Sequence, residues 1–529
     1  MLIARQFIAN YFIEVVIYIS VKLIGIDIGT QGASGLVINA EGEILAESYQ
    51  GYNINQPQTN WAQKWPEDWV EATYKVLNEL LDHKKVSRKE IEGLAISSLY
   101  GGSGIPVDSE IKPTAPCLIW LDRRAEKQVN WVKEHLDLER LYNITGNYVD
   151  SYHGFTKMMW IRDNWPEVWE ETELFLPPNS YIIYQLTKEL AIDYSSAGNI
   201  GGIFDLKKRK WSEEMSNKLD LPLQKQPQRL VKSTEIVGEI TAEAAAKTGL
   251  KAGVPVVAGG VDAPVATLSA GAIEKGSHVA MMGTSMCWGM VTEESHLSNR
   301  LVSMPNVIEP QNKVYSFGGA ATAGAIIRWF RDVLGRQEMK AGQEIDINAY
   351  KLLELKAEDI PPGAEGLLVL PYFMGERSPI WDSKARGTVL GLSLYHKKEH
   401  LFQAFMEGVA YALRHNMEIL DSSEIELDKE LVMVGGATKS SLWPQILADV
   451  TGYPVKLLKS RAEAPLGDAL LAGLGTGVFS EIKELKNWLA YEKAKYPVEK
   501  NKELYDKYYA EYKELYPSLK KHLHRMSEF

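Results

Sequence analysis

Cysteine is nearly absent from this chain. Only two cysteines, Cys117 and Cys287, occur in 529 residues, so neither a disulfide framework nor a cysteine-rich zinc site can form. Sparse cysteine is typical of proteins that work in a reducing compartment, and we therefore expect a cytoplasmic location.

Basic charge is also in short supply. The chain has 58 lysines and arginines against 69 aspartates and glutamates, which gives a net charge of −11. An acidic chain without a basic patch argues against a nucleic-acid-binding surface, and we expect no nucleic-acid partner. A nucleotide remains compatible with this charge, because backbone amides of glycine-containing turns bind phosphates. A Walker A motif and a G-x-G-x-x-G after the first strand are both absent.

A long uninterrupted hydrophobic run is missing too. Residues 2–21 are apolar, but Arg5 and Glu14 interrupt them and no small-residue cleavage site follows, which disfavours a membrane span or an export signal. We interpret residues 1–21 as a leader, disordered or not native, ahead of a domain that begins at residue 22. We expect no membrane partner.

What the chain does contain is a regular alternation of β-rich and helical patterns, which indicates an α/β fold. Its length favours two large domains. Residues 23–45 and 277–294 both read as a strand, a Gly-Thr turn and a second strand, with Thr30 and Thr284 placed 254 residues apart. The likeness suggests a duplicated domain with a cleft between the copies and a boundary near residues 265–275, although Gly-Thr turns are common in α/β proteins.

The C-terminal region predicts a packed helix. Apolar and aromatic residues recur there at three- and four-residue spacing, which is the pattern of a buried helix face. These residues are Leu504, Tyr505, Tyr508, Tyr512, Leu515 and Tyr516.

The glycine-containing turns are candidate phosphate sites. In the first, Asp27 precedes Gly29 and Thr30, so backbone amides could bind phosphate while the carboxylate holds a hydrated Mg²⁺. A second turn, Gly283-Thr284-Ser285, offers further donors to the phosphates. A third, Gly435-Gly436-Ala437, offers a flat backbone wall for a purine. Each turn by itself is equally compatible with ordinary strand-end or strand–helix packing.

Asp262 is the candidate catalytic base. It follows the apolar strand PVVAGGV and precedes Ala263-Pro264 at the expected domain junction. Phosphoryl transfer to an alcohol needs a carboxylate that accepts the hydroxyl proton. The alternative role for Asp262 is to cap the helix that follows.

Together these features resemble the FGGY family of carbohydrate kinases, from residue 22 to about residue 515. The matching motifs are D-x-G-T at 27–30, the segment 152–164, G-G-x-D at 259–262, G-T-S at 283–285, Ala323-Gly324, the segment 387–407 and G-G-A-x-K-S at 435–440.

The resemblance implies two ribonuclease-H-like domains of the actin/Hsp70 type with a deep cleft between them. Residues 22–268 would form a sugar-binding N-terminal domain, and residues 269–529 an ATP-binding C-terminal domain. It further implies that Asp262 is the base, that Gly324 belongs to the ATP site, and that ATP and Mg²⁺ are used. A homodimer is the assembly we consider.

Departures from the family concern phosphate charge and the sugar. Ser34 stands where the family usually has lysine or arginine, so some of the positive charge for the phosphates must come from elsewhere. Residues 60–69 align with a sugar-reading segment, but Gln63 and Lys64 replace its usual acidic–amide pair. Residues 98–102 read Ser-Leu-Tyr-Gly-Gly where xylulokinases carry a Gln-Met-His-Gly stretch, and Ala263 follows the base as in many ribulokinases.

We therefore expect a xylulokinase-like kinase of the pentulose group, with D-xylulose as the first substrate and with an altered sugar pocket. Ribulose, a tetritol or another glycerol-like polyol stay open. Trp61, Gln63, Tyr100 and Asp262 are the expected sugar contacts, with core packing as the alternative for Tyr100 and a solvated loop as that for Gln63. Two other classes compete, an actin/Hsp70-type ATPase that needs no sugar and a sugar-binding pseudokinase.

Overall fold

The computed structural model describes residues 21–99, 101–293, 298–420, 425–459, 463–482 and 488–527. The chain forms two compact units. The first consists of Met1–Ile273, Glu293–Tyr315 and Ala462–Trp488, and the second of Glu274–Thr292, Ser316–Arg461 and Leu489–Phe529. Nearly all of the expected leader lies outside the described residues.

The strands are short and are spread along both units. They are β1 Lys22–Ile28, β2 Gly32–Asn39, β3 Ile44–Gly51, β4 Gln63–Lys64, β5 Ile91–Ser98, β6 Ile105–Val107, β7 Cys117–Leu118, β8 Leu174–Leu176, β9 Ile192–Asp193, β10 Phe204–Asp205, β11 Lys210–Trp211, β12 Leu230–Val231, β13 Ile236–Glu239, β14 Pro255–Val257, β15 His278–Met282, β16 Met286–Thr292, β17 Val302–Pro305, β18 Val314–Gly318, β19 Leu368–Leu370, β20 Thr388–Leu390, β21 Leu431–Val434 and β22 Val455–Leu457.

The α-helices alternate with these strands. They are α1 Pro66–Leu81, α2 Glu126–His135, α3 Leu138–Thr145, α4 Gly154–Asn164, α5 Pro166–Glu171, α6 Pro178–Thr187, α7 Tyr194–Asn199, α8 Glu213–Leu219, α9 Ala242–Thr248, α10 Asp262–Ser269, α11 Gly324–Val333, α12 Arg336–Ile345, α13 Ala349–Ala357, α14 Lys398–Met417, α15 Trp443–Thr451, α16 Ala464–Thr476 and α17 Glu499–Met526.

The main sheet of the first unit has the strand order β13-β14-β5-β1-β2-β3. Strands β1 and β2 form an antiparallel hairpin, whereas β5 lies parallel to β1. Leu23, Ile24, Ile26 and Ile28 of β1 are fully buried, because helices cover both faces of a central strand. The predicted buried strand and the Gly-Thr hairpin are confirmed.

The second unit repeats this local arrangement. Strands β15 and β16 form an antiparallel hairpin, and β21 lies parallel to β15 and to β22. The Gly-Thr turn of residues 283–284 joins β15 to β16, as the turn of residues 29–30 joins β1 to β2. The likeness between the two hairpins is therefore a structural one, and the α/β class is confirmed.

The long C-terminal helix α17 forms as expected, with Tyr505, Tyr512 and Tyr516 buried. Tyr509 is buried as well, whereas Tyr508, which the pattern had placed on the buried face, is only half-buried. In the part of the chain that the structure describes, no helix is long and apolar enough to cross a membrane.

A buried carboxyl group links α17 to α14. Oε1 of Glu407 accepts hydrogen bonds from the Tyr505 hydroxyl at 2.8 Å, the Gly363 amide at 2.9 Å and Nε2 of Gln403 at 3.0 Å. Burial raises the pKa of Glu407 to about 7. The protonated form is the one that burial favours, because it removes the charge from an apolar site.

The substitution Glu407→Gln should remove the dependence of stability on pH that the Glu407 carboxyl group causes. A carboxyl group with a raised pKa stabilises the fold at low pH and loses that contribution as pH rises through about 7. Glutamine does not titrate, so the unfolding free energy of Glu407→Gln should improve relative to that of the unsubstituted protein between pH 5.5 and pH 8, by about 2 kcal/mol. Urea unfolding at both pH values measures this. Glu344→Gln, at an exposed position of α12, is the control, and an equal pH response in all three proteins would contradict the assignment.

Candidate active site

Three neighbouring strands of the first unit end at one edge of its sheet. Strands β14, β5 and β1 run parallel, so their carboxyl ends bring side chains together. Asp27 lies near the end of β1, opposite Ser97 of β5. Asp262 is the first residue of α10, which follows β14. The two predicted carboxylates therefore belong to one site.

Asp27 and Asp262 are close enough for the charge of Asp262 to affect the pKa of Asp27. Burial raises the pKa of Asp27 well above its ordinary value, and the charge of Asp262 adds to the increase. Burial also raises the pKa of Asp262, partly offset by the hydrogen bond that its Oδ1 accepts from the Ala263 amide at 2.7 Å. Within the described residues, no basic side chain acts on the pKa of either carboxyl group.

One reason for the lack of positive charge near Asp27 is that residue 34 is serine. Ser34 of β2 stands directly opposite Asp27 in the antiparallel ladder. Residues directly opposite each other on neighbouring strands interact on the same face of the sheet. A basic residue at this position, as the family usually has, would stand beside the Asp27 carboxylate.

A third carboxyl group supports Asp27 from behind. Oγ of Ser97 lies 3.1 Å from Oδ1 of Asp27 and 2.5 Å from Oδ2 of Asp468. A serine hydroxyl has one hydrogen and cannot donate to both oxygens. Burial raises the pKa of Asp468 well above its ordinary value, and the Ser97 hydroxyl lies within hydrogen-bond distance of both carboxyl groups.

The first Gly-Thr turn is held by two aromatic side chains. The Tyr52 hydroxyl donates to the Gly29 carbonyl at 2.6 Å, and Nε1 of Trp120 donates to Oγ1 of Thr30 at 3.0 Å. Gly29 and Thr30 therefore lie beside Asp27 in a braced turn. Sequence reasoning did not single out Trp120, although a tryptophan directly after the buried strand β7 was an available signal.

The predicted sugar contacts Trp61 and Gln63 both contact Arg124. The guanidinium of Arg124 lies 3.8 Å from the centre of the Trp61 ring. Nη2 of Arg124 donates to Oε1 of Gln63 at 2.8 Å, and Nε of Arg124 contacts the buried carboxylate of Asp122. Gln63 is thus a partner of Arg124 rather than part of a freely solvated loop. Tyr100, the remaining predicted contact, lies outside the described residues.

The second unit contains a cavity of about 610 Å³ that unites several predicted nucleotide residues. Gly283, Thr284, Gly324, Gly436 and Ala437 line it. Ser285 and Gly435 adjoin it in sequence but are not part of its lining. The remaining wall combines apolar, polar and basic side chains with one acidic side chain, and consists of Met282, Ile327, Arg328, Asn348, Tyr350, Lys351, Glu354, Phe402, Met406, Lys439, Ser440 and Trp443.

The Gly-Thr turn of this unit is bonded to the start of α11. The amides of Ala323 and Ala325 donate to the Thr284 carbonyl at 2.9 and 3.0 Å, and the Gly324 amide donates to the Gly283 carbonyl at 2.9 Å. A side-chain carbon on Gly324 would lie 2.6 Å from that Gly283 carbonyl. Glycine at 324 is therefore what permits the helix to approach the turn.

Helices α13 and α14 supply cavity residues that sequence reasoning missed. Asn348, Tyr350, Lys351 and Glu354 come from the start of α13. The available local signal was Asn348, which caps α13 by accepting a hydrogen bond from the Tyr350 amide at 2.9 Å. Three basic side chains, Arg328, Lys351 and Lys439, line the cavity.

Comparison with known proteins agrees with this architecture. Residues 22–269 match the N-terminal domain of the FGGY family of carbohydrate kinases, and residues 278–476 match the C-terminal domain. The xylulose kinase of Lactococcus lactis subsp. lactis is 28% identical, over 96% of this chain and 99% of its own length. The gluconokinase of Bacillus subtilis is also 28% identical, over 90% of this chain and 92% of its own.

A solved structure gives the same result for the fold. The xylulose kinase from Rhodospirillum rubrum superposes with a TM-score of 0.85 at 26% identity, covering 95% of this chain and 100% of that one. The fold is thus the actin/Hsp70-like two-domain architecture of carbohydrate kinases. The chain belongs to the FGGY family of carbohydrate kinases. It is a sugar kinase, and kinases of this family use ATP.

Gly436 of the cavity lining and the preceding Gly435 should respond differently to substitution. Gly435 has φ +96°, and an added side-chain carbon would lie 2.7 Å from the Met282 carbonyl. Gly436 has no atom within 4 Å of such a carbon. Gly435→Ala should destabilise the protein by about 1–2 kcal/mol or more, whereas Gly436→Ala should keep its stability and weaken ADP binding severalfold, because the methyl group enters the cavity. Thermal unfolding and calorimetric ADP titration separate the two, and matching effects in both variants would contradict the geometry.

Proposed function

We propose that this sugar kinase transfers the γ-phosphoryl group of ATP to a hydroxyl of a ketopentose, with D-xylulose as the first candidate and Asp262 as the general base. One observation carries the proposal, which is that Asp262 and Asp27 lie close together at the ends of β14 and β1, the two strands on either side of β5. The xylulose kinases among the relatives, similar over most of the chain, support the choice of sugar.

Asp262 has the properties that proton abstraction requires. Its Oδ1 is engaged by the Ala263 amide, which leaves Oδ2 to accept the proton of the sugar hydroxyl. Burial raises the pKa of this carboxyl group, and a higher pKa makes its carboxylate a stronger base. Phosphoryl transfer requires little more of the protein than alignment and charge stabilisation.

The site around Asp27 fits a magnesium ion. Mg²⁺ in kinases is usually held by one or two carboxylates together with water and phosphate oxygens. Asp27 has no cationic partner among the described residues, and no cluster of three or more His, Cys, Asp or Glu side chains forms a complete metal site there. Asp27 would hold the ion from one side, and the ion would neutralise phosphate charge when bound.

The cavity of the second unit fits ATP. Ile327, Phe402, Met406 and Trp443 offer an apolar wall for the purine, and Nε1 of Trp443 donates to the Met406 carbonyl at 3.1 Å, which fixes the indole. The Gly283-Thr284 turn lines the same cavity and would face the phosphates. Lys439 and the other basic side chains of the lining would balance the charge of the triphosphate.

The gluconokinases among the relatives favour gluconate as a second substrate. Charge argues for the ketose, because two carboxyl groups without a basic partner disfavour an anionic sugar. The same charge does not discriminate among uncharged ketoses and polyols, so ribulose, a tetritol and glycerol belong in the same test.

A substrate panel tests the proposal. ADP release is measured with D-xylulose, D-ribulose, D-gluconate, erythritol and glycerol, and with no acceptor. We expect the highest kcat/KM with D-xylulose and only slow release without a sugar. Equal release without any acceptor would indicate an ATPase, and no release with any sugar would indicate a pseudokinase; either result would contradict the proposal.

The substitution Asp262→Asn tests the base. General base catalysis contributes about 10²–10⁴-fold, so kcat should fall by at least about a hundredfold while the affinity for ATP stays unchanged. Asp220→Asn is the matched control, because Asp220 is exposed and has φ +52°, which asparagine tolerates. A near-native kcat in Asp262→Asn would remove Asp262 as the base.

A further inference from the structure

Two charged residues of the second unit, the buried Glu376 and the half-buried Arg377, lie beneath the loop of residues 318–324. Oε1 of Glu376 accepts hydrogen bonds from the amides of Ala321 at 2.8 Å and Arg377 at 2.7 Å. Nη2 of Arg377 donates to the carbonyls of Ala320 at 3.1 Å and Met286 at 3.2 Å. The pair thus binds donors and acceptors of the same loop.

This loop in turn holds the Gly-Thr turn of the nucleotide cavity. The Met286 amide donates to the Ala320 carbonyl at 3.2 Å. At the other end of the loop, the Ala323 and Gly324 amides donate to the carbonyls of Thr284 and Gly283. Both sides of the turn between β15 and β16 are therefore fixed through residues 320–324.

The turn itself relies on this support. Gly283 and Thr284 are exposed, and inside the turn the Gly283 amide donates to the Ser285 carbonyl at 3.0 Å. An exposed turn with so little internal bonding is not rigid by itself. The conformation of the turn depends on the loop of residues 320–324, which accepts a hydrogen bond from Met286 after the turn and donates hydrogen bonds to the carbonyls of Gly283 and Thr284.

Burying the Glu376 carboxyl group under this loop costs stability. Its side chain is buried, and Oε2 has no hydrogen-bond partner among the described residues. Burial raises its pKa to about 7, against the lowering effect of the Ala321 and Arg377 amides and of the Arg377 charge. A buried carboxyl group with an unpaired oxygen costs stability, and such costs persist where a conformation must be specified.

We infer that Glu376 and Arg377 are positioning residues, which hold the Gly283–Ser285 turn in the conformation that binds the triphosphate of ATP. This inference rests on the proposed function of the cavity as the ATP site. The residues act through the loop of residues 318–324 and touch no phosphate themselves. Their effect should therefore fall on the phosphates and spare the purine.

Ligand binding by the full chain distinguishes positioning from general stabilisation. Titration calorimetry is performed with ATP, ADP and adenosine. Glu376→Ala should weaken ATP binding at least tenfold and leave adenosine binding within twofold, because only the phosphates contact the turn. Glu376→Gln keeps the accepting oxygen and should restore ATP binding to within threefold. Arg377→Lys cannot reproduce the planar guanidinium, so it should weaken ATP binding without weakening adenosine binding. The control is Glu344→Ala, at an exposed position of α12.

The outcomes separate this inference from the proposed function. If the unsubstituted protein does not bind ATP, both are overturned. If it binds ATP but Glu376→Ala and Arg377→Lys bind it equally well, only the positioning role is overturned. A loss of adenosine binding equal to the loss of ATP binding would also overturn it, since that indicates damage to the whole cavity. Should Glu376→Ala fail to fold, Arg377→Lys and Glu376→Gln give the same decision.

Discussion

The carboxylate site depends on one close backbone contact between a strand and a helix. A side-chain carbon on Gly25 of β1 would lie 1.7 Å from the Pro465 carbonyl of α16, so the helix can lie against the strand only because residue 25 is glycine. Because α16 lies so close to β1, the Asp468 carboxyl group is within hydrogen-bond distance of the Ser97 hydroxyl, which in turn is within hydrogen-bond distance of Asp27. The position of the proposed metal-binding carboxylate therefore follows from the absence of a side chain two residues earlier in the same strand.

Helix α16 also packs closely against α10. The position of α16 was the hardest part of the fold to predict from sequence. A side-chain carbon on Gly467 would lie 2.1 Å from the Val265 carbonyl of α10, the helix that begins with Asp262. The segment Ala462–Trp488 joins the first unit although it follows most of the second. Local patterns do not report such long-range contacts. The one local signal was Asp468, a single carboxyl group in the otherwise apolar run of residues 464–474.

The hairpins and the strand-end carboxylates could be predicted, because they depend on short-range pattern. An apolar run that ends in Asp27-Ile28-Gly29-Thr30 specifies a buried strand and a turn without reference to the rest of the chain. The surroundings of Gln63 could not be predicted in this way, since its partner Arg124 lies 61 residues further on. The cavity shows the same division: its glycine turns were recognisable, whereas the contributions of α13 and α14 required the packing of the second unit.

The charged groups at the two candidate sites differ, and position 34 contributes to this difference. A lysine or arginine opposite Asp27 would neutralise that carboxylate and would also serve the phosphates. With Ser34 there, the first unit keeps carboxyl groups whose ionisation is disfavoured, and these suit a cation and an uncharged hydroxyl. The second unit has Lys439 and two further basic residues in its cavity, which suit an anion. Under the proposed function, proton and metal chemistry would belong to the first unit, and the charge of the phosphates would be balanced in the second.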